Sequence, residues 1–335
     1  MADLGKVRVT AQWTWHGGGL AAARAYFGDQ GEPWIDLSTG INPHAWPQTC
    51  TIPVDWQRLP ECEALSDLEA AAAAHFDADP AHVCALPGTE IGLRLAGECF
   101  SAPAFYLTPS YRTHGEIIVG ARPLTMDALH LADGATLILA NPNNPDGRLL
   151  SPVQLTKLLA QRGPQGWLIV DEAFGDCDPS NCMASAVRDN RRLVVFRSFG
   201  KFFGLAGLRL GFMVGPRPMI AHLRRRIGAW PVSAAAIAVG RAAYRDHAWI
   251  SATRDRLREE ALALDALLHD KGLPSSGACP LFRLVEIDKA MPLFERLARQ
   301  SILTRPFNDL PNRLRIGLPA NATEFSRLEA ALSDG

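Results

Sequence analysis

Short apolar runs, each ended by polar or turn-forming residues, recur through the middle of the chain. Runs of this length between turn signals are typical of buried strands in a mixed or parallel sheet. The four runs lie at residues 135–140, 167–170, 193–196 and 210–214. The pattern predicts an α/β fold whose large domain is built on a mixed, mostly parallel sheet.

Helical spacing of apolar positions is found on both sides of these runs. An alanine-rich stretch at residues 63–76 predicts one helix, and a charged stretch at residues 245–270 predicts another. Two strands and a helix are predicted toward the C-terminus, at residues 281–287, 314–316 and 325–332. A smaller α+β domain is therefore expected after the large one.

The length of 335 residues fits two domains of roughly 150 residues each. Residues 1–60 are rich in Trp, Gly and Pro, and we expect them to be irregular. We place the N-terminal arm with part of the small domain at residues 1–50, the large domain at 51–235 and the small C-terminal domain at 236–335.

Composition and charge exclude several classes of protein. With 47% hydrophobic and 21% charged residues the chain is not of the disordered kind, and a net charge of −1 argues against a nucleic-acid partner. The seven cysteines form no CxxC pair, so we expect no metal site and a reducing compartment. We see no signal peptide and no membrane-spanning stretch, so the expected location is the cytoplasm.

Polar residues follow three of the apolar runs directly. Asn141, Asp171 and Ser198 each stand at the point where a predicted strand ends. Ligands of open α/β sheets bind beyond the carboxyl ends of the strands. We therefore expect these three side chains to converge on one site.

Three local motifs carry candidate chemistry, and each also has a purely structural interpretation. Lys201, just after a strand end, suits a Schiff base if its amine is desolvated, although a single lysine is usually just exposed. Asp171 suits either a helix N-cap or a carboxylate that keeps a ring nitrogen protonated. The segment beginning Pro87-Gly88 precedes a helical pattern whose first N–H groups could hold a phosphate.

Taken in order, the motifs PGTE, NPNNPDG, DEAF, SFGK, GLRLG and LRIG resemble the fold-type-I pyridoxal 5′-phosphate (PLP) enzymes of aminotransferase class I and II. The resemblance spans about residues 16–318. It implies PLP as the cofactor, bound by the large domain. The implied cofactor-binding residues are Gly88, Thr89, Glu90, His114, Asn144, Asp171, Ser198, Lys201 and Arg209.

The resemblance also implies a role for individual residues. Lys201 would be the Schiff-base lysine, and Asp171 would pair with the pyridinium nitrogen. Asn144 would hydrogen-bond the 3-hydroxyl oxygen of the cofactor, and His114 would stack on its ring. The cofactor phosphate would be held by Gly88, Thr89, Ser198 and Arg209.

The N-terminal segments HGGG and STGINP, with the later ILTRPF, resemble the threonine-phosphate decarboxylases of cobalamin biosynthesis. This implies decarboxylation of L-threonine O-3-phosphate to (R)-1-aminopropan-2-yl phosphate. The implied substrate-binding residues are His16, Gly40, Asn144, Arg305 and Arg315. A histidinol-phosphate or amino-acid aminotransferase stays open as an alternative, as does a non-catalytic binding protein in which Lys201 or Asp171 would be dispensable.

Three positions depart from the family pattern. Gly19 stands where the decarboxylases have Asn, and Phe174 stands where many relatives have a Tyr that donates to the cofactor. Leu59 replaces a Tyr that in many relatives reaches the cofactor phosphate of the partner subunit. The resemblance still implies a homodimer, with the segment around Arg58 near the partner's site.

Overall fold

The computed structural model describes residues 13–28 and 31–333. Its chain divides into two compact units. The small unit comprises residues 1–43 and 255–335, and the large unit comprises residues 44–254. The large unit thus extends further at both ends than the large domain placed at 51–235 from the sequence.

The described residues contain helices and strands of the following bounds. The helices are α1 Leu20–Phe27, α2 Cys62–His75, α3 Thr89–Gly97, α4 Pro152–Ala160, α5 Phe199–Phe202, α6 Arg217–Ile227, α7 Ala234–Arg245, α8 His247–Asp270, α9 Ala290–Arg299 and α10 Ala322–Ser333. The strands are β1 Ile35–Asp36, β2 Val83–Leu86, β3 Ala104–Leu107, β4 Arg122–Leu124, β5 Thr136–Ala140, β6 Leu168–Glu172, β7 Leu193–Ser198, β8 Gly211–Val214, β9 Ser275–Ser276, β10 Phe282–Glu286, β11 Ile302–Leu303, β12 Arg305–Pro306 and β13 Arg313–Gly317.

The large unit is built on a seven-stranded sheet in the order β2-β8-β7-β6-β5-β3-β4. Strands β3 to β7 pair in parallel, and β8 runs antiparallel to both of its neighbours. Strands β5, β6 and the apolar part of β7 are fully buried, which explains their continuous apolar sequence. The predicted mixed, mostly parallel sheet is confirmed.

The small unit contains a four-stranded antiparallel sheet in the order β12-β13-β10-β9. A separate parallel pair joins β1 to β11. Because α1 and β1 lie within residues 1–60, the expectation that this whole segment is irregular is wrong. Two strands and a final helix do form where the C-terminal pattern predicts them, as β10, β13 and α10.

The helix predicted at residues 245–270 is interrupted at its beginning. Helix α7 ends at Arg245 and α8 begins at His247, so Asp246 separates them. Its carboxylate accepts a hydrogen bond from the backbone N–H of Trp249 at 3.1 Å and another from the indole N–H of Trp46 at 3.0 Å. Asp246 therefore caps the start of α8, which ends one helix and begins the next.

No helix within residues 13–28 and 31–333 is both long enough and apolar enough to span a membrane.

Candidate active site

The three strand ends that carry Asn141, Asp171 and Ser198 lie at one edge of the sheet, as the sequence predicts. Strand β6 pairs with β5 through Asp171 and Ala140, so Asn141 lies one step beyond that pair. On its other side, β6 pairs with β7 through Asp171 and Phe196, two residues before Ser198. The carboxyl ends of three neighbouring parallel strands therefore share one edge of the sheet.

Asp171 is buried, and each of its carboxylate oxygens has a partner. One oxygen, Oδ1, accepts the backbone N–H of Ala173 at 3.0 Å. The other, Oδ2, lies 3.1 Å from Nε2 of His114. These contacts fix the orientation of the carboxylate, so Asp171 is more than a helix cap.

His114 has no accessible surface, and its second ring nitrogen, Nδ1, has no hydrogen-bond partner among the described residues. A proton on Nδ1 would leave a buried N–H unpaired, so the neutral ring with its proton on Nε2 fits best. In that form Nε2 donates to Asp171. In this structure His114 is fully buried and bonded to Asp171, and its stacking on a cofactor ring stays a prediction.

Tyr111 lies beside His114 and is an aromatic residue that the sequence analysis did not single out. It is partly exposed, and its ring stands edge-on to that of His114 with the centroids 5.8 Å apart. The charge of Asp171 is among the causes that raise the pKa of Tyr111, after burial and the charge of Glu90, so the phenol lies near that carboxylate. The signal was present in the sequence as the aromatic residue in the motif PSYRTH.

An anion-binding cradle forms where helix α3 begins. Gly88 is the N-cap of α3 and has a φ of 90°. A Cβ at Gly88 would lie 2.7 Å from Nη2 of Arg209, so this guanidinium lies against the positive end of the helix. Arg209 itself adopts the left-handed conformation, with a φ of 55°, which L side chains rarely do. Helix end and guanidinium together favour a phosphate group.

The turn that carries Lys201 is packed tightly. A Cβ at Gly200 would lie 2.7 Å from the Cα of Ala206, so the backbone of α5 fits closely against the following loop. The amine of Lys201 lies 5.8 Å from the centroid of the buried Phe174 ring. Phe174 thus places an apolar ring beside the amine where many relatives have a phenol.

The loop after β5 is held by its other asparagines. The side chain of Asn141 donates to the carbonyl oxygen of Leu150 at 3.0 Å and accepts that residue's N–H at 2.7 Å. Asn143 donates to the carbonyl oxygen of Pro109 at 2.8 Å. These two residues are structural, and they position the backbone from which Asn144 extends.

In the small unit, two arginines stand at paired positions of neighbouring strands. Arg305 of β12 pairs with Arg315 of β13 in the register of the sheet. The guanidinium of Arg315 is buried over the ring of Phe282, with 4.9 Å to its centroid. Burial, and then the charge of Arg305, lower the pKa of Arg315 well below its usual value. Two positive charges at paired positions of neighbouring strands repel each other. The arrangement therefore favours binding of an anionic ligand.

The glycine-rich segment after His16 packs against the same region of the small unit. The backbone N–H of Gly18 donates to Oγ of Ser38 at 2.6 Å, and a Cβ at Gly17 would lie 2.4 Å from the carbonyl oxygen of Ser38. That carbonyl oxygen also accepts Nη2 of Arg315 at 2.7 Å. Of the expected substrate-binding residues, Arg305 approaches this segment too, through the carbonyl oxygen of Trp15, and Gly40 is buried two residues after Ser38.

Residues 32–332 match the aminotransferase class I and II family. The chain belongs to this family. Among members of known function it is similar to threonine-phosphate decarboxylases of Sinorhizobium sp. and Pseudomonas aeruginosa. Both are 38% identical to it and cover 95% of this chain; the chain covers 97% and 96% of the two relatives.

Another member of the aminotransferase class I and II family, a histidinol-phosphate aminotransferase of Symbiobacterium thermophilum, is 32% identical over 74% of this chain and 75% of its own. Among solved structures, the histidinol-phosphate aminotransferase of Sinorhizobium meliloti in complex with pyridoxal 5′-phosphate has a TM-score of 0.81. It covers 94% of each chain at 20% identity. This likeness confirms the fold-type-I architecture predicted from the motifs.

Proposed function

We propose that this chain is a PLP-dependent decarboxylase that converts L-threonine O-3-phosphate into (R)-1-aminopropan-2-yl phosphate and carbon dioxide. The observation that carries the proposal is the pair formed by Arg305 and Arg315. Two guanidinium groups at paired positions suit a substrate with two anionic groups, a carboxylate and a phosphate. The similarity to two threonine-phosphate decarboxylases over nearly the whole chain supports the same substrate.

The large unit fits PLP, the cofactor that the family implies. The cradle at Gly88, Thr89 and Arg209 would hold the cofactor phosphate, together with Ser198. A side chain at Gly88 would collide with the guanidinium of Arg209. The glycine therefore leaves the space in front of the helix end open. Asp171 would hold the ring nitrogen, and Asn144 would hydrogen-bond the 3-hydroxyl oxygen.

The PLP ring, when bound, supplies the sink for the electrons of the broken bond. The carboxylate of Asp171 would keep the proton on the ring nitrogen, and its contact with His114 at 3.1 Å holds it in place. Tyr111, rather than His114, offers an accessible aromatic face beside this pair. Phe174 leaves the 3-hydroxyl oxygen without the phenol donor found in many relatives, so Asn144 is its expected partner.

Which bond at the α-carbon of the substrate breaks depends on how the substrate is oriented in the site. Arg315 would bind the substrate carboxylate through two parallel N–H donors, and Arg305 would bind its phosphate, with His16 as a further expected contact. The carboxylate must be held perpendicular to the cofactor ring for carbon dioxide to leave. The amine of Lys201 would anchor the cofactor and, once carbon dioxide has left, would donate a solvent-derived proton to the α-carbon of the substrate.

The main alternative is an aminotransferase, which would break the α-carbon–hydrogen bond instead. The two activities separate in one experiment on protein reconstituted with PLP, supplied with either L-threonine O-3-phosphate or histidinol phosphate, each with and without 2-oxoglutarate. A decarboxylase forms 1-aminopropan-2-yl phosphate in both samples that contain L-threonine O-3-phosphate, over many turnovers. Turnover of histidinol phosphate that requires 2-oxoglutarate would instead make the chain an aminotransferase. A Lys201→Ala variant is the control, because a non-catalytic protein would not depend on this amine.

The active protein is a homodimer in this proposal, and it acts in the cytoplasm within cobalamin biosynthesis. Three large apolar side chains of the large unit support a partner surface, because Trp56, Leu59 and Trp230 are 78%, 60% and 58% exposed. Exposed apolar side chains of this size favour an interface when they lie together. Trp230 and Arg58 belong to cavities that share the wall formed by Pro60, Glu61 and Ile237.

A further inference from the structure

Glu90 stands in the first turn of α3, directly after Thr89 at the phosphate cradle. Both of its carboxylate oxygens are taken by protein donors. Oε1 accepts Nε of Arg94 at 2.7 Å, while Oε2 accepts the hydroxyl groups of Tyr111 at 2.9 Å and Thr113 at 2.8 Å. The side chain of Glu90 is therefore engaged within the protein, and a contact between Glu90 and the cofactor stays a prediction that its backbone N–H would have to meet.

The two hydroxyl donors belong to the segment that faces the strand ends. Tyr111 precedes the short 3-10 turn Arg112–Gly115, and Thr113 lies within it, one residue before His114. Glu90 thus holds the segment at two points, one on its backbone turn and one at the far end of the Tyr111 ring. A tyrosine held at both its Cα and its hydroxyl keeps the long axis of its ring in one direction, so the ring stays at one place beside Asp171 and His114.

The hydrogen bond from Tyr111 to Glu90 is of the strong kind, because its acceptor is ionised. Burial, and then the negative charge of Glu90, raise the pKa of Tyr111 to about 12. The phenol therefore stays protonated at neutral pH and keeps its donor role. Of the two groups, only Glu90 carries a charge.

We infer that Glu90 is a positioning residue, which fixes the ring of Tyr111 beside Asp171 and His114 so that its face packs on the cofactor ring. The inference rests on the proposed function, since it takes PLP as the bound molecule. The first turn of α3 then has two roles. Its backbone forms part of the phosphate cradle, and Glu90 holds the ring of Tyr111 in place.

The neighbouring ion pairs offer a matched control. Glu116 binds Arg94 at 2.8 Å and Arg112 at 2.7 Å, so it belongs to the same network as Glu90. It accepts no hydrogen bond from Tyr111 in the contacts described above. These groups are exposed, and exposed ion pairs contribute little to stability. Glu116→Ala thus removes ion pairs of the network and leaves the Tyr111 hydroxyl bonded.

The test is a double-mutant cycle on the affinity for PLP, using Glu90→Ala, Tyr111→Phe and the double variant. We expect each single change to raise the dissociation constant about fivefold to tenfold, as for one lost hydrogen bond to a charged group. The double variant should be no weaker than either single one, because both changes remove the same bond. Glu90→Gln keeps a neutral acceptor and should recover part of the affinity, and Glu116→Ala should bind PLP as the wild type does.

A second readout follows the orientation of the bound cofactor rather than its affinity. The visible circular dichroism of bound PLP should change alike in Glu90→Ala and Tyr111→Phe, and stay unchanged in Glu116→Ala. Additive losses of affinity, or a changed spectrum in only one of the two variants, would overturn the inference while leaving the proposed function in place. Absence of PLP binding by the wild type would overturn both.

Discussion

Arg315 combines burial with a like-charged neighbour. Its guanidinium lies over Phe282, donates to the carbonyl oxygen of Ser38 and pairs with Arg305 across the strands. Burying a cation costs free energy unless an anion or hydrogen bonds compensate it. The hydrogen bond to Ser38 and the charge of Asp36 supply part of that compensation, and in our proposal the anionic groups of the substrate add to it.

Replacing Arg315 by lysine tests this assignment. Lysine keeps the charge but loses the planar fork of donors, so we expect KM for L-threonine O-3-phosphate to rise about tenfold or more. The control is Arg313→Lys on the same strand, where the arginine pairs with the exposed Glu286 instead. Steady-state kinetics of both variants would contradict the assignment if KM changed equally in the two.

The sequence predicted which residues lie at the strand ends better than it predicted how their side chains are oriented. Asp171 could be placed because it directly follows an apolar run, and Ser198 because it lies two residues after one; parallel strands end at one edge. His114 and Tyr111 could not be told apart in the same way, since both lie in an irregular turn. Their roles follow from burial: His114 is covered completely, and Tyr111 is not.

At the scale of elements, the start of α3 carries the proposed cofactor cradle. Gly88 has a φ of 90° and leaves no room for a Cβ beside Arg209. We expect Gly88→Ala to push the guanidinium away and to weaken PLP binding about tenfold or more, with a stability loss of about 1 kcal/mol or more. Fluorescence titration with PLP and urea unfolding measure the two effects.

A second glycine provides the control for this prediction. Gly207 precedes Arg209 in the same loop, but a Cβ there would meet nothing within 4 Å. Gly207→Ala should therefore bind PLP with the wild-type affinity. If Gly88→Ala bound PLP equally well, the cradle would not hold the cofactor phosphate.

Strands β6 and β7 are joined beneath the site by a buried charged cluster. Arg197 donates to Glu172 at 2.9 Å and also binds Asp176, which lies 3.0 Å from Nε2 of His75. Burial alone would raise the pKa of Asp176, but the charge of Arg197 and the hydrogen bonds from His75 and Arg197 outweigh it and hold that pKa well below its usual range. The cluster fixes the strand ends that carry Asp171 and Ser198.

Breaking this cluster should cost far more stability than breaking a surface contact. Arg197→Met would leave the carboxylates of Glu172 and Asp176 buried without their cation, and we expect a loss of about 3–5 kcal/mol in the free energy of unfolding. Urea unfolding at neutral pH measures it. Arg191→Met, at an exposed position, should change the free energy by less than about 0.5 kcal/mol. Equal losses in both variants would contradict a stabilising role for the cluster.

The elements themselves could be predicted from sequence where they are buried on both sides. Strands β5 to β8 appear as continuous apolar runs and were predicted near their observed bounds. Strands β2, β3 and β4 were missed: β4 is only three residues long and its first two residues are exposed, so it leaves no apolar run. The interruption at Asp246 was missed as well, because it depends on Trp46, two hundred residues away in sequence.

At the scale of the whole molecule, we expect a homodimer. Light scattering after size exclusion should give twice the chain mass of 36.4 kDa. Leu59→Asp should shift the protein toward the monomer, because a charge would be buried in the apolar interface. Val153→Asp is the control, since Val153 is an apolar residue on α4 that is 79% exposed, more than Leu59. Dimers that tolerate Leu59→Asp and not Val153→Asp would place the interface elsewhere.

The most direct test of the account follows the carboxylate of the substrate. Protein reconstituted with PLP receives L-threonine O-3-phosphate with an isotope-labelled carboxylate, in deuterated water and without a keto acid. We predict labelled carbon dioxide in equal amount with 1-aminopropan-2-yl phosphate that carries one solvent deuterium at the former α-carbon, over many turnovers. Label that stays in the amino acid while its α-hydrogen exchanges with solvent would contradict the account, because the chain would then break the α-carbon–hydrogen bond of an aminotransferase.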